Sequence, residues 1–248
     1  MSRRYFVESP IRDAAVATLV DAEAHHLLHV MRAKVGEQVT LFDGSGHEFE
    51  ARIERPRRGE VELAVLSREA VDRELPFDLT LAVALPKGDR QRWLVEKLTE
   101  LGASRLVPLE TERGVAQPTD KALERLRRTV IEASKQCGRN RLLEIVEPVS
   151  LEQAISAAEA SCWLAHPALH NHAARPLREL LDDQNPGGAL RAIVGPEGGF
   201  SEAEIQRAVE LRATLVDLGP RVLRIETAAV AIAAAVTLGR TSRSGIVP

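Results

Sequence analysis

The chain has 248 residues, enough for one or two domains. Hydrophobic residues make up 44% and charged residues 28%, as in a typical globular protein, which argues against a disordered chain. The sequence has no apolar run of the roughly 18 residues that a membrane span needs and no signal-peptide core, so we expect a cytoplasmic protein. Cys137 and Cys162 are too few for a disulfide scaffold or a four-cysteine zinc site.

The charge balance limits the kinds of partner. Lysine plus arginine total 33 and aspartate plus glutamate total 36, so the net charge of −3 argues against a protein coated in nucleic acid, although a local basic patch is compatible with it. Arginine far outnumbers lysine, which suits bidentate phosphate binding, but a GC-rich genome would explain the same bias. With 3% aromatic residues, the chain lacks the stacking platforms of general single-strand RNA binders.

The first part of the chain is predicted to be rich in β-strands. Strand composition or polar-apolar alternation is found at residues 39–42, 48–54 and 60–66. A turn at residues 43–46 follows the first of these strands, and a short helix is predicted at residues 22–32. The polar stretch 69–76, which ends in proline, is the predicted linker, so we expect domains at residues 1–70 and 77–248.

After the linker, apolar strands alternate with amphipathic helices. Strands are predicted at residues 79–85, 105–109, 142–146, 162–165, 189–194 and 214–218. Helices are predicted at residues 90–101, 119–136 and 151–160. This alternation indicates an α/β domain with a mainly parallel sheet.

A glycine-rich loop, Gly195-Pro196-Glu197-Gly198-Gly199-Phe200, follows the strand at residues 189–194. Ser201 and Glu204 then have the spacing of a capping box, which predicts the start of a helix. The glycines would let the backbone approach a ligand closely, but the pattern is neither GxGxxG nor a P-loop. Glu197 is a poor neighbour for a phosphate and suits a cationic or hydroxylated ligand. An ordinary strand-to-helix turn is the alternative.

A second loop, residues 218–227, follows the strand at residues 214–218. Thr227 is predicted to cap a helix at residues 228–236, which is apolar on every side and therefore buried in the core or against a second subunit. Arg224 and Glu226 come just before this helix, at the end of a strand, where open α/β sheets bind their ligands. An Arg224–Glu226 ion pair that only shapes the loop is the alternative.

Residues 121–141 form a basic segment, with seven basic side chains against Glu124 and Glu132. Such a face is the expected footprint of an RNA-binding helix, although a solvated surface has the same pattern. Two histidine groups, at residues 25–29 and 166–172, are not completed by cysteine or carboxylate clusters. We therefore predict no metal site.

Together these motifs resemble one known family, the bacterial 16S ribosomal RNA uridine-N3-methyltransferases (the RsmE family) of the SPOUT superfamily, which modify uridine 1498. The resemblance runs nearly end to end. The segments that carry it are residues 4–6, 26–32, 85–90, 97–102, 132–139, 195–200 and 223–228.

The resemblance implies an α/β protein in which a PUA-like, RNA-binding β-barrel at residues 1–70 precedes a SPOUT methyltransferase domain at residues 77–248. It implies a deep trefoil knot in the second domain, a rare exception to the rule of unknotted chains. The implied cofactor is S-adenosylmethionine, and the implied partners are 16S rRNA in the 30S subunit and a second copy of the chain.

The resemblance also implies roles for particular residues. Arg224 would stabilise negative charge on a uracil oxygen, and Glu226 would accept the N3 proton or orient Arg224. The residues expected to bind the cofactor are Gly195, Glu197, Gly198, Leu218, Gly219, Leu223, Ile225, Thr227 and Ala228. Those expected to bind RNA are Arg4, His29, Arg32, Lys87, Arg90, Arg127, Arg128, Lys135 and Arg139. Two other functions are compatible with the sequence: a SPOUT enzyme with another target (a ribose 2′-oxygen or another base), and a non-catalytic RNA-binding assembly factor.

Overall fold

The structure is a computed structural model that describes residues 3–12, 15–114, 118–158, 161–167, 174–183 and 188–241. It divides into two compact units. The first comprises the chain up to Glu74 together with Ile131–Leu142, and the second comprises Leu75–Val130 and the chain from Leu143 onward. The sequence did not indicate that the segment Ile131–Leu142 joins the first unit.

A five-stranded mixed sheet forms the first unit. Its strands are β1 (Arg4–Phe6), β2 (Val16–Val20), β3 (Gln38–Phe42), β4 (His47–Arg57) and β5 (Glu60–Ala70), in the order β1-β3-β4-β5-β2. Strand β1 runs parallel to β3, whereas the other pairs are antiparallel. The alternation seen in the sequence places Phe49, Ile53 and Leu63 in the core of this unit. The strands predicted at residues 39–42, 48–54 and 60–66 are therefore confirmed.

The predicted helix at residues 22–32 is a composite. Helix α1 (Asp21–His25) continues directly as a π-helical turn, His26–Val30, in which the Met31 N–H donates to the His26 carbonyl five residues earlier, at 2.9 Å. Arg32 follows with a φ of 53°, in the left-handed region that stops a helix. The turn buries Leu27 and leaves His29 exposed.

A parallel sheet is the centre of the second unit. Its strands are β6 (Leu79–Val83), β7 (Arg105–Glu110), β8 (Glu144–Ile145), β9 (Val149–Ser150), β10 (Ser161–Ala165), β11 (Arg175–Pro176), β12 (Leu190–Val194) and β13 (Thr214–Asp217). The order is β11-β13-β10-β12-β6-β7-β8, with β9 paired to β7, and every pairing is parallel. All five residues of β6 are buried, as expected for a strand covered on both faces.

Six further helices follow in the described residues: α2 (Asp89–Glu100), α3 (Asp120–Cys137), α4 (Leu151–Ser156), α5 (Leu177–Asp183), α6 (Glu202–Glu210) and α7 (Ile225–Thr241). All belong to the second unit except the last part of α3, which belongs to the first. The capping box predicted from the spacing of Ser201 and Glu204 is present at the start of α6, and Ser150 forms a second capping box at the start of α4. Helix α4 ends at Ser156 rather than continuing to residue 160. In the described ranges no helix is long and apolar enough to cross a membrane. The trefoil knot stays a prediction.

Candidate active site

A cavity of about 260 Å³ opens at the carboxyl ends of β10, β12 and β13. These three strands are neighbours in the parallel sheet, so the loops that follow them meet at one edge. The walls come from the glycine-rich loop after β12, the loop after β13, the first turns of α7 and the end of β10. Two loops that are about 20 residues apart in the sequence therefore form one site.

Most of the residues expected to bind the cofactor line this cavity. They are Gly195, Glu197, Gly198, Leu218, Gly219, Leu223, Ile225 and Ala228. The aliphatic side chains among them provide an apolar wall, whereas the loop backbones provide polar groups. An apolar cavity with a few convergent polar groups is typical of a small-molecule site.

Two glycines shape the cavity for different reasons. A Cβ atom at Gly195 would lie 2.7 Å from the Phe200 ring, so the ring packs where a side chain would otherwise stand. Gly219 has a φ of 108°, which side chains rarely allow, and its N–H donates to Asp217 Oδ1 at 3.1 Å. A Cβ atom at Gly198 would meet only the Arg113 side chain, at an ordinary 3.5 Å.

Thr227 does not take the predicted position. Helix α7 begins at Ile225, and the Ala228 N–H already donates to the Arg224 carbonyl at 2.9 Å. Thr227 is therefore inside the first turn, exposed, rather than at the cap, and it is not part of the cavity wall. The helix starts earlier than predicted, and the buried Ile225 takes its first position.

Arg224 and Glu226 are in different environments. The Arg224 side chain is exposed and makes no hydrogen bond or ion pair within the described part of the chain. Glu226 is buried, and its Oε2 atom has no hydrogen bond to any described residue. The ion-pair partner of Glu226 is Arg90, with Nη1 at 3.6 Å from Oε2. The Arg224–Glu226 pair considered from the sequence is not formed.

Arg90 bridges two carboxylates at this edge of the sheet. Besides the contact with Glu226, its Nη2 atom donates to Glu197 Oε1 at 3.2 Å. Arg90 is in the first turn of α2, so it connects the start of that helix with the glycine-rich loop and with the start of α7. The resemblance had placed Arg90 among the RNA-binding residues; the structure shows its guanidinium half-buried and engaged with protein carboxylates.

Arg113 is a cavity residue that sequence reasoning missed. It belongs to the loop after β7, and its Nη1 atom donates to the carbonyls of Gly198 at 2.9 Å and Phe200 at 3.5 Å. Its position after a predicted strand end was the one signal that could have indicated it. His166, at the end of β10, also lines the cavity. The other two histidines of its sequence group, His170 and His172, are outside the described residues.

Three of the expected RNA-binding residues are in the interior of the first unit. Arg4, Lys135 and Arg139 are each less than 10% exposed. Lys135 pairs with Glu23 at 2.7 Å, and Arg139 pairs with Glu74 at 2.5 Å. Burial and carboxylate pairing leave these side chains little exposed surface for a phosphate.

The buried arginine Arg4 is the centre of a polar network. It donates to Glu48 at 2.5 Å and to the Arg139 carbonyl at 2.9 Å, and it also bonds the Asn140 side chain. Burial lowers the pKa of Arg4, although Glu48 opposes this effect. Burial alone would raise the pKa of Glu48, but hydrogen bonds and charge from Arg73 and Arg4 hold that pKa below its ordinary value.

Apart from Arg90, the other expected RNA-binding residues are at the surface of their own unit. His29 and Arg32 are exposed around the π-helical turn of the first unit. In the second unit, Lys87, Arg127 and Arg128 are exposed. Arg127 donates to the Ile145 carbonyl at 3.1 Å, and Arg128 pairs with Glu124 one helical turn away, so both are already partly satisfied. No group of three or more potential metal ligands is found in the described ranges.

Comparisons with known proteins agree with this architecture. A family model described as an RNA methyltransferase domain matches residues 73–237, and a model described as an RNA methyltransferase PUA domain matches residues 19–66. The ribosomal RNA small subunit methyltransferase E of Bacillus subtilis (strain 168) is 31% identical over 236 residues, which are 91% of this chain and 92% of that protein.

Two solved structures share the fold across both units. A putative methyltransferase from Legionella pneumophila in complex with the cofactor SAM has a TM-score of 0.85 and 32% identity, with 98% of each chain covered. A ribosomal RNA small subunit methyltransferase E from Neisseria gonorrhoeae bound to S-adenosyl methionine has a TM-score of 0.83 and 31% identity, covering 96% of this chain and 98% of that one. With its PUA and RNA methyltransferase domains in this order, the chain belongs to the ribosomal RNA small subunit methyltransferase E family.

Proposed function

We propose that this protein transfers a methyl group from S-adenosylmethionine to N3 of uridine 1498 in the 16S rRNA of the 30S subunit, in the cytoplasm. The observation that carries the proposal is the cavity in which the glycine-rich loop, the loop after β13 and the start of α7 meet. The family's name and the cofactor-bound relatives support the same chemistry.

The cavity suits the proposed cofactor in shape and chemistry. Leu218, Leu223 and Ile225 offer an apolar wall for an adenine ring, and the loop backbones at Gly195 and Gly219 offer hydrogen-bonding groups for adenine and ribose. Glu197 suits a ribose hydroxyl or a cationic group. When bound, the cofactor supplies an electrophilic methyl group on its sulfonium.

The protein must promote loss of the uridine N3 proton, because the neutral imide is a poor nucleophile. We assign Arg224 to the stabilisation of the uridinate, since its guanidinium is exposed and unpaired within the described residues and offers several N–H donors. We assign proton acceptance to Glu226. Its alternative role, orientation of Arg224, has less support because its ion-pair partner is Arg90.

Arg224→Ala tests this assignment. Loss of one preorganised donor typically lowers the rate by about 10²- to 10³-fold. We expect cofactor affinity within a few-fold of wild type and strongly reduced single-turnover methyl transfer, with little rescue by Arg224→Lys, which lacks the planar fork. Near-normal turnover in Arg224→Ala would end the catalytic assignment.

We assign RNA binding to exposed side chains of each unit: His29 and Arg32 in the first, and Lys87, Arg127 and Arg128 in the second. Each lost phosphate contact lowers the salt dependence of binding by about one unit of slope. Replacing Arg127 and Arg128 by alanine together is expected to lower the slope by about two and to leave cofactor binding intact. An unchanged slope would make this helix face a solvated surface only.

We further propose that the enzyme acts as a homodimer. Helix α7 supports this because it is rich in small apolar residues, and its Leu238 is 68% exposed. Sedimentation at micromolar concentration tests the proposal, and a monomer throughout would refute it.

Methyl transfer from labelled cofactor to 30S subunits, compared with naked 16S rRNA, tests the function itself. Nuclease digestion and mass spectrometry then locate the methyl group. A product at a ribose 2′-oxygen or at another base would favour the alternative target. A protein with RNA affinity but without cofactor affinity in calorimetry would favour a non-catalytic assembly factor.

A further inference from the structure

The Arg113 side chain lies at the cavity wall, where hydrogen bonds join it to the glycine-rich loop. Its Nη1 atom donates to the carbonyls of Gly198 and Phe200, at 2.9 and 3.5 Å. Its neighbour Glu112 donates a backbone N–H to Glu204 Oε1 at 3.0 Å, which fixes the same short segment to the start of α6. The guanidinium is thus anchored through one nitrogen, and carbonyl oxygens are its only hydrogen-bond partners in the described structure.

The charged side chains around the cavity differ in whether they form an ion pair. Two carboxylates line the cavity: Glu197 is in an ion pair with Arg90, whereas Asp217 is hydrogen-bonded to a neutral group, the Gly219 N–H. Arg113 makes no ion pair with any described carboxylate, so no described residue neutralises its positive charge. A guanidinium with one edge fixed and further N–H donors remaining matches the geometry of a carboxylate, which can accept two parallel hydrogen bonds.

We propose that Arg113 binds the α-carboxylate of the amino-acid end of S-adenosylmethionine. The proposal rests on the proposed function, since it presumes that this cofactor occupies the cavity. The carboxylate is the one anionic group of the cofactor, and adenine and ribose are neutral. An unneutralised guanidinium therefore discriminates among the parts of the cofactor and selects its carboxylate end.

Arg221 also lines the cavity and carries the same charge, but it is less suited to the role. Like Arg113 it is exposed, but its side chain makes no hydrogen bond in the described part of the chain, so it would lose its rotamer freedom on binding. The Arg113 guanidinium is already ordered by two carbonyls, so this entropy cost is largely avoided. Arg221→Ala is therefore a matched control for Arg113→Ala, with the same charge removed from the same cavity.

Calorimetric titration with S-adenosylmethionine and with decarboxylated S-adenosylmethionine tests the proposal, since the two ligands differ in the carboxylate alone. Hydrogen bonds between charged groups correspond to about 10- to 100-fold in affinity. We expect Arg113→Ala to weaken S-adenosylmethionine binding by this factor and to leave the binding of the decarboxylated ligand nearly unchanged. Arg113→Lys should recover part of the loss, and Arg221→Ala should preserve the wild-type preference between the two ligands.

Three outcomes would overturn the proposal. If Arg113→Ala lowered the affinity for both ligands equally, Arg113 would only position the glycine-rich loop. Unchanged affinity for both ligands would place the partner of Arg113 elsewhere, such as an RNA phosphate. Loss of ligand preference in Arg221→Ala but not in Arg113→Ala would transfer the role to Arg221. If the wild-type protein binds neither ligand, the proposed function itself fails. Circular dichroism of each variant shows whether a loss of binding is caused by unfolding.

Discussion

Gly195→Ala is expected to disturb the cavity through a single methyl group. An added Cβ would lie 2.7, 2.9 and 3.0 Å from three atoms of the Phe200 ring. The ordinary contact distance between two carbon atoms is at least about 3.5 Å, so the ring must move by several tenths of an ångström. The ring cannot simply swing into solvent, because Phe200 is buried in the apolar core of the second unit.

The expected cost follows from overpacking. Extra methyl groups in a close-packed interior typically lower the free energy of unfolding by about 1–3 kcal/mol. The same displacement narrows the cavity, since Gly195 and Phe200 both line it. Gly198→Ala is the matched control: its Cβ would meet Arg113 at an ordinary 3.5 Å, so we expect a change in stability below about 0.5 kcal/mol.

Urea unfolding and calorimetric cofactor titration measure the two effects on the same variants. Phe200→Leu would remove part of the ring that Gly195→Ala displaces. The double variant should therefore be more stable than the sum of the two single effects predicts, as expected for residues in contact. A Gly195→Ala protein with wild-type stability and affinity, or strictly additive single effects, would refute the steric argument.

Three further outcomes are expected. Arg139→Ala removes one partner of the buried ion pair with Glu74 and should lower the free energy of unfolding by about 3–5 kcal/mol. Arg128→Ala removes one partner of the exposed ion pair with Glu124 and should change this free energy by about 0.5 kcal/mol or less. Chemical denaturation of the two variants compares these effects. Burial raises the pKa of Cys162 to about 11, so little thiolate exists at neutral pH, and its reaction with a thiol reagent should be slow in the folded protein and fast in urea. Because the pKa of Glu48 is lowered from 4.5 by the fold, its stabilising effect is present above that value and is lost as the pH falls through the lower folded value. The stability difference between wild type and Glu48→Gln should therefore shrink as the pH falls below 4.5.

Local features of the sequence determined much of this protein. Apolar strands alternating with amphipathic helices predicted the parallel sheet of the second unit, because this periodicity reflects which faces are buried. The Ser201 capping box was predictable since its two hydrogen bonds join residues only three positions apart. Both glycine-containing loops that line the cavity were predicted to follow strand ends, because glycines after a strand mark the edge of a sheet where loops converge. Motifs spread along the whole chain indicated the family.

Only the tertiary structure decided which charged residues are at the surface. Arg4, Lys135 and Arg139 have the same sequence signature as exposed cations, yet each is buried, Lys135 and Arg139 beside a carboxylate that is more than 60 positions away in the chain. The partner of Glu226 is likewise Arg90 and not the nearby Arg224, and Arg113 reaches the glycine-rich loop across 85 positions. Side-chain chemistry and helical spacing constrain neighbours within a few residues. Partners this distant are brought together by the packing of the strands and helices, which a local pattern does not encode.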